Sequence, residues 1–298
     1  MAENGLNEKQ ASKVKLYTVA LIYTFSIGFS FLAIKKCVPY ADSLTILAYR
    51  YDFALLGVIV WFSVCRLLGK QQKQPKDRPK SKLYLTAGFY VGFMILQITA
   101  MFFATSVEGA IVFAVVPIFV TVAALIVLII LEATNLTMSL TGIILMLAAS
   151  ISMAISNVFM RYVRGTFQPI EITRTIAIGG FVLFNIIVWI RAAIKGDVHS
   201  LLDPVTHPQF LISIAFLGIF CILLSAQFMA YMLAHMEIVQ STIFGNASTA
   251  ISILAGAILL GEPLTIHHII CALLILAGVI GLALAPAPAE NSGKKLGD

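Results

Sequence analysis

Arg50, Asp52, Gln97, Glu108, Asn157 and Gln227 interrupt long runs of apolar residues. In such a setting a charge is paired, snorkels to an interface or lines a wet path, because inserting it into a bilayer costs about 2.5 to 3.5 kcal/mol. Arg50 and Asp52 lie two apart, which on a helix turns them about 200° from each other, so they cannot pair and each needs its own partner or water. For Arg50 two readings stand, a snorkelling arginine near the membrane surface or a cation at a solute site. Gln97 and Gln227 carry amides that donate and accept without a charge-burial penalty. They suit a zwitterionic or polar uncharged solute, or they glue helices together at about 0.6 kcal/mol per bond. Asn157, one turn before Arg161, is a candidate of the same kind. Glu108 opens an apolar run beside Gly109, either as a first-turn carboxylate favoured by the helix dipole or as a proton-coupling group. Tyr23, Phe29, Tyr90 and Phe93 recur at helical spacing and either line a cavity for apolar groups or pack the core.

No catalytic set accompanies these residues. The sequence has no GxSxG, P-loop or HExxH and no carboxylate pair at one membrane depth, so an enzyme is not expected and any transport is secondary or facilitated. Cys37, Cys65, Cys221 and Cys271 lie in or at the ends of apolar runs without CxxC spacing, and read as small buried hydrophobes. His267 and His268 are helix neighbours that do not share a face, so no metal or other cofactor is expected. The sequons at Asn135 and Asn246 are chance matches: the first falls on the expected cytoplasmic side and the second inside a span.

The elements that must position these groups follow from composition. Of 298 residues, 60% are hydrophobic and 11% charged, less than half the charged share of a soluble domain, and the mean hydropathy is +0.97. Apolar runs of about 20 residues mean an all-α integral membrane protein, since barrel strands would be about 10 residues long with strict alternation. Runs bounded by charges or Pro predict nine transmembrane helices, near 14–35, 43–65, 83–104, 107–131, 139–162, 170–192, 209–234, 238–260 and 266–286. Residues 1–13 and 287–298 read as solvated tails, the first too polar for a cleaved signal peptide. The net charge of +6 is concentrated in one short loop, Arg66 to Lys82. That is the signature of a cytoplasmic connection, expected to be poorly ordered, and it points away from nucleic acid. Trp61 and Trp189 near span ends read as interface anchors.

Sliding the chain against itself by 130 positions matches Gly88 with Gly218, Gln97 with Gln227, Ala100 with Ala230 and Glu132 with Glu262; a slide of 124 matches Arg50 with Arg174. The chain reads as two repeats, residues 14–136 with four spans and 139–286 with five. Four spans before the second copy would leave both copies the same way up, against the inversion that alternating access uses.

The LLGEPLT segment at Leu259 to Thr265, the Gly-containing span that follows it, Arg50 early in span two, Lys35 closing span one and Pro117 in span four together resemble the EamA-type branch of the drug/metabolite transporter superfamily. The resemblance runs from Lys15 to Ala285. It implies two inverted five-helix repeats, a cavity lined by spans one, three, four, five, seven and eight, and movement of amino acids, related metabolites or drugs across the cell membrane by alternating access. The sequence departs from that pattern at the fifth helix and at Asn246. Expected substrate-binding residues are Gln97, Gln227, Asn157, Arg50 and Tyr90, with Glu108 as the coupling candidate. The partners expected are a small-molecule solute and the lipid bilayer, with a homodimer left open. The alternative is a shortened relative that folds without transporting and serves as a partner or is inactive.

Overall fold

The computed structural model describes residues 2–69, 78, 80–115, 140–163, 166–236 and 238–264, together with 266, 269, 270, 273 and 277. Every element among them is helical: α1 (Ala2–Gly28), α2 (Ser30–Cys37), α3 (Ser43–Leu67), α4 (Ser81–Ala100), α5 (Ser106–Val115), α6 (Leu140–Val163), α7 (Pro169–Lys195), the short α8 (His199–Leu202), α9 (Pro208–Ala215), a π-helical segment (Phe216–Leu224), α10 (Ser225–His235) and α11 (Ile238–Leu259). Five stretches among the described residues are long and apolar enough to cross a membrane: Val14–Cys37, Ser43–Leu67, Ser81–Ala100, Pro169–Lys195 and Pro208–Met232. They coincide with runs expected from the sequence to within a few residues. The remainder of the run at 107–131, most of that at 266–286 and most of the basic loop lie outside the described residues.

Local chemistry sets the helix ends. The Asp42 carboxylate accepts the Thr45 N–H at 3.0 Å, capping α3. Burial pushes this carboxyl up, but bonds from Thr45 and Arg191 outweigh it and hold it below the usual carboxylate range. Pro169 occupies the first turn of α7, where its missing N–H costs nothing, and Gln168 with Glu171 closes a capping box. Large apolar side chains such as Leu56, Ile59, Val60, Ile186 and Ile190 stay exposed on the outward faces of α3 and α7, as a lipid-facing surface requires.

The helices run in defined directions. Asp42 pairs with Arg191, Asp52 accepts from Asn185 at 2.7 Å, Tyr51 meets Phe184 and Arg174 lies over the Phe62 ring. Numbers rise along α3 as they fall along α7, so the two are antiparallel. The same holds for α4 and α6: Lys82 meets Tyr162, the Ser156 hydroxyl donates to the Thr86 carbonyl and Gly142 packs on Ala104. Four crossings before the second copy would have set each of these pairs parallel. The parity conflict foreseen from the sequence is thus absent from the helix packing, and the chain between Val115 and Leu140, where the crossings would be counted, lies outside the described residues.

Candidate functional site

One cavity of about 250 Å³ lies between the two halves of the chain. From the first half, α1 contributes Tyr23 and Ile27, α2 Ser30 and Phe31, α3 Arg50, and α4 Tyr90, Phe93, Met94 and Gln97. From the second half, α6 contributes Met153 and Met160, and α7 Pro169, Ile172, Thr173 and Ile176. The π segment adds Cys221 and Ile222, and α10 adds Ser225, Ala226, Met229 and Ala230. The wall is mainly apolar with a few polar tips, the usual make-up of a small-molecule site.

Arg50 is the outlying group. It sits in the second turn of α3, 2% exposed, and its Nε and Nη1 have no hydrogen-bond partner. A Cβ built on Gly218 of the π segment would come 2.6 Å from the Arg50 carbonyl oxygen, so only glycine lets that segment press on α3 here. Asp52, on the other side of α3, is engaged by Asn185. Arg174, which the slide of 124 sets on Arg50, is exposed and lies over the Phe62 ring at 5.3 Å, as a snorkelling arginine does. The two arginines therefore sit in opposite environments.

Gln97 is buried in the last turn of α4 and lines the cavity. Gln227 does not reach the wall: its Nε2 is buried without a partner while Ala226 and Ala230 face the cavity. Tyr90 is on the wall. Asn157 falls within α6, but its side chain lies outside the described residues. Glu108 is 4% exposed and forms a reciprocal cap: its carboxylate accepts the Thr105 N–H at 2.7 Å while its own N–H donates to the Thr105 hydroxyl. It is not on the cavity wall.

The lining differs from that implied by the resemblance. Spans two and six, which are α3 and α7, contribute directly, whereas α5 and α11 contribute no described lining residue. Sequence reasoning also passed over Thr173, Ser225 and the four lining methionines. A hydroxyl inside a helix gives no sign of its facing, and Met is an ordinary core residue. Of the cysteines, Cys37 and Cys221 are buried, as expected, and Cys65 is partly so. No group of His, Cys, Asp and Glu able to hold a metal exists among the described residues.

Helices of membrane length from two halves, antiparallel at α3 and α7 and enclosing a cavity of about 250 Å³, define a multi-pass helical membrane protein. Residues 140–284 match the EamA-like transporter family. The chain is 27% identical over 290 residues to the uncharacterized transporter YcxC of Bacillus subtilis, covering 89% of this chain and 91% of that protein. It is also 27% identical over 284 residues to an uncharacterized transporter of Archaeoglobus fulgidus, covering 89% and 97%. Residues 140–284 thus carry an EamA-like domain, and the chain is a multi-pass membrane protein similar along most of its length to proteins named as transporters.

Proposed function

We propose that the chain is a secondary transporter that moves small organic metabolites through the central cavity by alternating access. The observation that carries this reading is a single chamber whose wall is shared by α1–α4 of the first half and α6, α7, the π segment and α10 of the second. A chamber built across two halves changes shape whenever the halves rock against each other, and the antiparallel pairing of α3 with α7 is the relation an inverted architecture needs. Gln97, Tyr90 and Arg50 are the binding groups in this reading; Asn157 is a further candidate, and the hydrogen bonds of Glu108 favour its cap role over coupling. The full chain reconstituted in proteoliposomes should give saturable counterflow of a radiolabelled solute drawn from a panel of small amino acids, organic acids and amines. A monodisperse, folded protein that moves none of them above empty vesicles would favour the non-transporting reading instead.

A further inference from the structure

We propose that the cavity selects amphipathic monoanions: solutes with one carboxylate, held by Arg50, on a compact apolar body and without an ammonium group. This assignment rests on the cavity being the solute site. Arg50 is 2% exposed, lines the cavity and leaves Nε and Nη1 without partners. A guanidinium cannot shed its charge, and each of these two nitrogens is an open donor to a carboxylate oxygen. A charge buried without a counter-ion is costly, and a ligand that supplies the counter-ion relieves that cost on binding.

The rest of the wall defines the rest of the solute. Arg50 is the sole charged residue among the described lining residues. An ammonium group would therefore meet Arg50 and no carboxylate, which discriminates against zwitterions and amines by repulsion as well as by lack of a partner. A second carboxylate would likewise find no second cation among the described lining residues. Phe93, Met94, Met153, Ile176, Ile222 and Met229 offer apolar surface, and methionines adapt to irregular shapes. Gln97 adds a neutral amide suited to a keto or hydroxyl oxygen, and Ser225, whose hydroxyl donates to the Cys221 carbonyl, can accept from a solute hydroxyl. The volume of about 250 Å³ falls just under the usual range of about 300–1,000 Å³, which favours a compact solute.

The test uses one carbon skeleton in four charge states on the purified full chain in detergent: 4-methyl-2-oxopentanoate, leucine, 4-methylpentan-2-amine and 4-methyl-2-pentanone, with hexanoate and phenylpyruvate as further anions. Titration calorimetry should show at least one of the anions binding about thirtyfold or more tighter than leucine, the amine and the ketone. Arg50→Gln should remove that preference and Arg50→Lys should keep part of it. Should Arg50→Gln fail to fold, the comparison of charge states on the unaltered chain decides by itself. Equal binding of all forms, tighter binding of leucine or the amine, no binding of any anion, or unchanged anion binding by a folded Arg50→Gln protein each overturns the proposal. Flux in proteoliposomes separates the two readings. Movement of leucine or the amine without the anions leaves the transporter standing and removes the anion site, whereas Arg50-dependent anion binding without movement of any solute keeps the site and removes the transporter.

Discussion

At the scale of single residues, Gln97 and Gln227 separate a matched position from a matched role. Both were legible as polar interruptions of apolar runs, but only Gln97 reaches the wall. The cause lies upstream of Gln227, where Phe216–Leu224 is wound as a π-helix. Each π turn takes about one residue more than an α turn, so the face presented afterwards is rotated relative to a count that assumes 3.6. The repeat alignment counts residues whereas the wall counts turns. Gln97→Leu should lower solute flux about fivefold, the worth of one hydrogen bond, with folded yield maintained. Gln227→Leu should leave flux within twofold, and melting temperature unchanged or raised, since it deletes a buried amide donor that has no partner. Equal flux losses in the two variants would return Gln227 to the site. Arg50 was equally legible as a charge in a span. What the sequence left undecided was its surroundings, because a snorkelling arginine and a buried one are written with the same letter.

Among the elements, helix starts and ends were the easiest to read, since Asp42, Pro169 and Pro208 announce them by capping and by the missing N–H. The join between α5 and the turn after α11 was harder. Glu262 reads in sequence only as a corner before Pro263. In the structure its carboxylate accepts the N–H groups of Ser106 and Val107 at 2.9 and 3.0 Å and the Ser106 hydroxyl at 2.7 Å. Three donors at a helix N-terminus held by one carboxylate from 156 residues away is a long-range contact that no local pattern encodes. Glu262→Ala leaves these donors unsatisfied and should lower stability by about 1–3 kcal/mol, seen as a lower melting temperature in detergent. Glu262→Gln should recover part of the loss. An unaltered melting temperature in Glu262→Ala would show that water replaces the carboxylate there.

For the molecule as a whole, the sequence supplied the class, because 60% apolar composition in membrane-length runs admits little else. Relative direction was the part it could not supply: parity depends on counting crossings, and a count fails wherever one boundary is ambiguous. Side-chain partners decide direction independently of the count. The antiparallel arrangement of α3 and α7 predicts that, in a background with the native cysteines replaced, Asp42→Cys with Arg191→Cys forms an oxidative cross-link within the chain. Asp42→Cys with Arg174→Cys should not, and the reverse result would mean parallel helices. The π segment carries one further implication at this scale. It supplies Cys221 and Ile222 to the chamber, and a helix already overfull by a residue can hand that surplus along its length, exchanging one backbone bond for the next. Winding of this segment then trims the wall's fit to a solute from within one half, an adjustment finer than the rocking of the halves and additional to it.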